Sequence, residues 1–322
     1  MGFYYSQFLV TPSYPTQSFL GQTVIVTGAN VGLGFEAARH FIRLQAATVI
    51  LAVRNVVAGE EAKRKLELST DRAGVCEVWE LDLASYASVQ AFARKAAAQL
   101  PRLDVLVSNA ALATTTFSLA EGHERTITVN VTSTILLALL LLPKLRESAT
   151  KHPDAPCPRL TFVVSETHAW TPFPEYKAAN TFERLDDWST ADMGNRYASS
   201  KLMEILILRE MADRTSDAEP QVVVNMVNPG LCHSGLAREF GWGFWVFKQL
   251  VARSTEVGSR TLLAGASAGA ESHAKYMTDG KVDDGALSGF VRSPEGKTAQ
   301  QKLWTELTTI LEGIDSTIMQ NL

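Results

Sequence analysis

Cysteine is scarce: Cys76, Cys157 and Cys232 are the only three in 322 residues. They are too few and too widely spaced for a disulfide framework or a CxxC-type metal site. The six histidines form no HExxH or similar pair, so no metal is expected. Charge is not concentrated either. The net charge of −4, with Lys and Arg scattered, gives no basic footprint for nucleic acid. No apolar run reaches the roughly 20 residues of a membrane span. The longest, VTSTILLALLLL (131–142), reads as a buried helix. A charged start followed by an apolar block is also missing, so no signal peptide is expected. Met1-Gly2 with Ser6 matches the pattern MGxxxS, which arises often by chance. A reducing, cytoplasmic setting without stable membrane insertion is expected.

What is present is a rhythm. Residues 1–20, with Pro12 and Pro15, read as an arm leading into the fold. From residue 21, short β-branched runs alternate with helix-like stretches: TVIVT (23–27), TVILAV (48–53), VCEVWELDL, LDVLVSNA, RLTFVVS (159–165) and QVVVNMVN (221–228). Near-continuous Val/Ile/Leu strands imply a parallel sheet covered on both faces. The alternation predicts a Rossmann-like, doubly wound α/β fold, one domain over 21–322. Segments 166–196 and 231–254 break the rhythm and are rich in Trp, Phe, Gly or Pro. Ligands of such sheets bind beyond the strands' carboxyl ends, so both segments are expected to overhang the crevice as insertions over the substrate.

TGANVGLG (27–34) joins the first strand to the first helix. Glycines there allow a tight turn and close approach of backbone to a pyrophosphate at the helix N-terminus. The spacing Gly28, Gly32, Gly34 is GxxxGxG rather than GxGxxG. The second strand ends LAVRN, with Arg54 where an acidic residue would bind the ribose hydroxyls of NAD. A guanidinium suits a 2′-phosphate, so NADP(H) is favoured. In NRYASSK (195–201), Tyr197 and Lys201 stand one helical turn apart on one face. An ammonium beside a phenol favours phenolate and makes tyrosine a usable acid/base.

In order, TGANVGLG, LDL (81–83), SNAA (108–111), Ser165 closing a strand and YASSK (197–201) resemble the short-chain dehydrogenase/reductase family. The resemblance runs from about residue 21 to 291. LAVRN and the late QQKLWTELTTIL are most similar to its retinol-dehydrogenase-like branch, which has many fungal members. The resemblance implies that Gly28, Gly32 and Gly34 line the pyrophosphate, with Asn30 and Leu33 in the same loop. It implies that Asp82 bonds the adenine amino group beside Leu83, and that Asn109 supports the adenosine end. Ser165, Tyr197 and Lys201 match the catalytic trio, and Asn130 the structural and proton-relay asparagine. Lys201 would also hold the nicotinamide ribose. Pro229, Gly230 and Ser234, in NPGLCHS, would flank the nicotinamide, with Ser234 where threonine is usual. Two departures stand out: Ala111 replaces a glycine, and Ser165 and Tyr197 are 32 residues apart, an unusually long separation.

The insertions carry His168, Trp170, Phe173, Tyr176, Trp188 and Met193, then Phe240, Trp242, Phe244, Trp245 and Phe247. Aromatic surfaces beside a crevice suit an apolar or aromatic substrate, and a lid that moves over it is expected. His168, Trp170, Trp188 and Trp242 are the candidate substrate contacts, although half or more of these side chains could simply pack the insertions. Relatives often dimerise through the 131–142 and Tyr197 helices, but the same leucines suit a core, so monomer, homodimer and homotetramer stay open. The expected activity interconverts a ketone or aldehyde and an alcohol on a bulky apolar substrate, in specialised metabolism. A non-redox cyclisation or isomerisation on the same scaffold is the alternative. A cofactor-binding sensor would have no need of the complete trio.

Overall fold

Five runs rich in Val, Ile, Leu and Thr, together with the more polar CEVWE, form the parallel strands β1 (Thr23–Thr27), β2 (Thr48–Val53), β3 (Cys76–Glu80), β4 (Val105–Ser108), β5 (Arg159–Val163) and β6 (Val223–Asn228). β7 (Tyr276–Thr278) extends the sheet in parallel, and β8 (Lys281–Val282) closes it antiparallel. This architecture comes from a computed structural model, which describes residues 3–219, 221–236, 239 and 241–322, without the side chains of Phe244 and Trp245. Phe240 and those two side chains therefore lie outside the described residues. The strand order is β8-β7-β6-β5-β4-β1-β2-β3, so the winding reverses between β1 and β4. That switch point is where an open α/β sheet forms its ligand crevice.

Strand burial explains the sequence pattern. Every residue of β1, β5 and β6 is buried. Val24 and Val26 face one side, packing with Phe41 and Ile42 of α2 (Gly32–Arg43), Leu66 of α3 (Val56–Thr70) and Leu262 of a later helix (Thr255–Ser267). Ile25, Ile50, Leu106 and Leu160 face the other side. There they meet α4 (Tyr86–Gln99), α5 (Ser133–Lys151), α6 (Arg196–Thr215) and a C-terminal helix (Pro294–Ile314). Each fully buried Val, Leu or Ile contributes roughly 1.5–3 kcal/mol. The edge strand β3 is only partly buried, with Cys76 and Trp79 buried and Glu77 and Glu80 exposed.

The apolar 131–142 run lies largely within α5, whose Leu136, Leu137, Leu139 and Leu141 have no exposure. Residues 125–151 form the one described helical stretch apolar enough to cross a membrane, and 83% of its most apolar window is buried inside the protein. These leucines serve the core rather than a partner. Pro143 sits inside α5 and cannot donate to the carbonyl of Leu139. Asn321 Nδ2 donates to that carbonyl instead, at 3.1 Å, so the chain's end repairs the gap.

Candidate active site

A cleft of about 620 Å³ opens beyond the carboxyl ends of β1, β2, β4, β5 and β6. Its floor begins at the glycine loop. Gly28 and Gly32 adopt φ of 67° and 65°, the left-handed region glycine tolerates. A Cβ on Gly28 would sit 3.1 Å from Ala110 Cα, so the loop is closed against β4. Gly34 does not line the cleft, contrary to the expectation from sequence. Its missing side chain lets α2 pack: a Cβ there would lie 2.6 Å from Asn109 Nδ2 and 2.7 Å from Gly28 O. Val31, the residue before α2, supplies no side-chain cap. The first N–H groups of α2 therefore have no side-chain cap, and the residues around that helix start, Asn30, Gly32 and Leu33, line the cleft, where an anion would satisfy them.

Thr27 clamps this floor. Its Oγ1 accepts from the backbone N–H of Asn109 and of Ala110, both at 2.9 Å, while Asn109 Nδ2 donates to Thr27 O at 2.8 Å. Ala111, the departure from the family's glycine, avoids the left-handed region, so its methyl adds no backbone strain. Asp82 and Leu83 line the far end, and Asp82 Oδ1 accepts from Ala84 N at 2.9 Å. Arg54 stands at the rim, exposed, with no hydrogen bond or ion pair to any described residue. These groups fit a phosphorylated dinucleotide: uncapped helix N–H groups, a glycine cradle in the left-handed backbone region, and a guanidinium without a partner among the described residues.

At the other end, Ser165, Tyr197 and Lys201 converge on the cleft. Ser165 leaves β5 and caps a short 3-10 turn, its Oγ accepting from Thr167 N at 3.2 Å. Tyr197 and Lys201 start α6, which a buried ion pair anchors: Arg196 Nε lies 3.7 Å from Glu124 Oε2. Lys201 Nζ donates to Val163 O at 2.8 Å and to Glu204 Oε2 at 2.7 Å. Asn130 does not line the cleft. It occupies a π-helical turn (Thr128–Thr132), exchanges hydrogen bonds with the Leu112 backbone, and donates to Ser200 Oγ at 2.9 Å. Ser200 in turn donates to Tyr197 O at 2.7 Å, so Asn130 steadies the first turn of α6.

Glu204 changes the electrostatics expected from sequence. Burial pushes the Tyr197 phenol above its ordinary value, and the Glu204 carboxylate adds to that. Lys201 and the Ser165 hydroxyl pull the other way without overcoming it. Lys201 itself loses solvation, but Glu204 and the phenol outweigh this and hold it firmly protonated. The tuning ammonium is thus partly neutralised. Glu204 was visible as the one charge inside LMEILIL, three residues after Lys201. A tyrosine accepts a proton only as phenolate, so any step in which Tyr197 acts as the base would speed up as pH passes its pKa. Glu204→Gln removes a charge that raises this pKa. Its pH–rate profile for oxidation is expected to move to lower pH, and an unmoved profile would show that Glu204 does not act on the phenol.

Glu166 is a second group that sequence reasoning passed over. It lines the cleft next to Ser165, and its carboxylate makes no hydrogen bond or ion pair with a described residue. Burial pushes its carboxyl up to about 7, with Arg253 lowering it and Asp279 raising it. Below that pH it is a neutral donor in the cleft, and above it a charge that disfavours apolar groups placed beside it. KM for an apolar ketone is expected to rise as pH increases through about 7. Glu166→Gln should flatten that rise; an identical profile in the variant would assign the titration elsewhere.

Three of the four candidate substrate contacts do not line the cleft. His168 is 1% exposed and faces the core. Its Nδ1 donates to Ser165 O at 2.7 Å and its Nε2 accepts from Ser288 N at 3.1 Å, which fixes a neutral tautomer. Burial lowers its pKa, in keeping with that state. Trp188 and Trp242 are 76% and 82% exposed and stand off the cleft wall. Trp170 does line the cleft, joined by Phe247, Leu236 and Glu239 of the second insertion. Glu239 Oε2 accepts from Thr114 Oγ1 at 2.6 Å, which ties that insertion to the loop after β4. Pro229, Gly230 and Ser234 line the cleft, and Ser234 O accepts from Lys248 Nζ. The neighbouring Cys232 is pushed up to about 12 by burial and stays a thiol.

The model of the short chain dehydrogenase family matches residues 22–151. The sequence is 46% identical over 320 residues to the short-chain dehydrogenase anuD of Penicillium roqueforti, covering 97% of this chain and 83% of that protein. It is 43% identical over 327 residues to the short chain dehydrogenase/reductase dmxR8 of Cryptosporiopsis sp., covering all of both chains. Among solved structures, the RhlG/NADP active-site complex of Pseudomonas aeruginosa shares the fold with a TM-score of 0.63 at 21% identity, covering 83% of this chain and 97% of that one. A short chain dehydrogenase of Escherichia coli complexed with NADPH gives a TM-score of 0.59 at 23% identity, covering 82% and 99%.

Proposed function

Because the chain belongs to the short-chain dehydrogenase family, we propose that it is an NADP(H)-dependent oxidoreductase interconverting a ketone or aldehyde and the corresponding alcohol on a bulky apolar or aromatic substrate. One observation carries this reading. Tyr197, Lys201 and Ser165 meet at one end of a single cleft whose other end holds the glycine cradle and Arg54. The NADP and NADPH complexes of fold relatives add support for the phosphorylated cofactor. Three free cysteines suit a cytoplasmic setting.

The α2 N-terminus and Gly28–Gly32 backbone would hold the pyrophosphate, Asp82 and Leu83 the adenine, Arg54 the 2′-phosphate, and Lys201 the nicotinamide ribose. NADPH, when bound, supplies the hydride that reduces the carbonyl carbon. Negative charge then builds on the carbonyl oxygen, where preorganised donors stabilise it most. Ser165 donates a hydrogen bond to that oxygen. Tyr197 transfers its phenolic proton to the same oxygen, completing the alcohol. The phenolate left behind is stabilised by the Lys201 ammonium, held in place by Val163 O and Glu204. In the oxidative direction Tyr197 takes the proton back.

Trp170 and Phe247 on the cleft wall favour an apolar or aromatic group beside the reacting carbonyl. The test is turnover. Purified protein should consume NADPH in preference to NADH with at least one member of a panel of aromatic and polyketide-like ketones. A preference for NADH would refute the cofactor assignment, and tight NADPH binding without turnover of any carbonyl would weaken the redox assignment.

A further inference from the structure

The N-terminal arm is built into the cleft. Helix α1 (Phe3–Leu9) buries one residue, Gln7, at 8% exposure. Gln7 Nε2 donates to Leu231 O at 2.6 Å and to Val251 O at 3.0 Å, while Leu231 N donates to Gln7 Oε1 at 3.2 Å. One side chain thus engages both polar groups of Leu231, in the middle of the Pro229–Ser234 loop. The turn there is tight: Gly230 has φ of 72°, and a Cβ on it would lie 2.9 Å from Gln7 Oε1.

Further contacts join α1 to the same region. Arg253 Nη2 donates to Ser6 O at 2.7 Å, and the Arg253 backbone N–H shares Leu231 O with Gln7. Phe3 packs edge-on against Trp170, with ring centroids 5.8 Å apart, and stacks on Phe247 at 6.3 Å. Trp170 and Phe247 both line the cleft.

From this geometry we infer that Gln7 is a positioning residue, fixing the Pro229–Ser234 loop in the conformation that receives the nicotinamide end of the cofactor, while Phe3 backs the substrate wall. The inference rests on the cofactor assignment made above. Only an amide can play this part. Glutamate accepts but cannot donate, and would face two carbonyl oxygens; leucine fills the space and makes none of the three bonds. An unpinned loop must be ordered at the moment of binding, which weakens cofactor affinity more than it slows chemistry.

The experiment compares wild type, Gln7→Glu, Gln7→Leu and Tyr5→Ala by NADPH titration and by steady-state KM and kcat. Amide hydrogen exchange at Leu231 is read in the wild type. Tyr5 is half exposed on the same helix and controls for general disturbance of the arm. Both Gln7 variants are expected to bind NADPH roughly tenfold more weakly, with a smaller change in kcat. Tyr5→Ala should match wild type, and the Leu231 amide should be protected. Failure of the wild type to bind NADPH would sink the cofactor assignment itself. Wild-type binding with equally tight binding by either folded Gln7 variant would overturn the role of Gln7 alone. So would an unprotected Leu231 amide, a result that needs no variant to fold.

Discussion

Tyr197→Phe is expected to lower kcat for carbonyl reduction by roughly a thousandfold, about 4 kcal/mol of barrier. NADPH binding should change by no more than about twofold, since phenylalanine keeps the ring and loses only the hydroxyl. The substitution removes the phenolic proton donor at the cleft end that also holds Ser165 and the Lys201 ammonium. Ser165 remains and still polarises the carbonyl, so some activity should survive above the uncatalysed rate. The check is single-turnover reduction with NADPH prebound, which separates chemistry from binding. A variant that keeps wild-type rates would mean that another group supplies the proton. Glu166 is the group to examine next, because burial raises its carboxyl to about 7 in the same cleft.

The second large effect is on cofactor choice. Arg54 follows β2 directly, is exposed, and has no ion-pair partner among the described residues, so its full charge is free for a ligand. Truncating one partner of a charge-assisted contact costs about 2–5 kcal/mol when buried, and exposure to solvent moves Arg54 to the low end. Arg54→Asp adds repulsion of the 2′-phosphate and offers a carboxylate to the ribose hydroxyls of NADH. The ratio of kcat/KM for NADPH over NADH is expected to fall by roughly a hundredfold or more. Because the contact is exposed, wild-type preference for NADPH should also shrink as salt rises. An unchanged ratio in the variant would place the phosphate against other residues.

Much of this was legible in the sequence because the relevant signals are local. A β-branched run, a glycine turn and a helix-like stretch are contiguous, so TGANVGLG could be placed between β1 and α2 from sequence alone. The parallel sheet followed from strands buried on both faces, which leave no polar alternation to read in β1, β5 or β6. Arg54, Asp82 and Ser165 follow strand ends, which is why their place along the cleft could be read from the same local pattern.

What escaped depends on contacts between distant segments. Nothing near Gln7 in sequence says that it will meet Leu231, 224 positions away. His168 looked available as a loop histidine, but Ser288 arrives from beyond β8 to bond its second nitrogen. Trp188 and Trp242 belong to aromatic-rich insertions, and composition alone does not say which ring turns inward. The pairing of Tyr197 with Lys201 was readable from spacing, whereas the net direction of the phenol's shift was not. It depends on burial by the whole fold and on Glu204, whose charge only matters because α6 carries it into the core.

The most direct test follows the hydride. The ketone turned over fastest is incubated with NADPH bearing deuterium at the transferable position, and the product is weighed by mass spectrometry. A carbonyl reductase should give an alcohol carrying one cofactor deuterium on carbon and one solvent-derived proton on oxygen. A product of unchanged mass would contradict hydride transfer and leave the Tyr197 site as a proton shuttle for cyclisation or isomerisation.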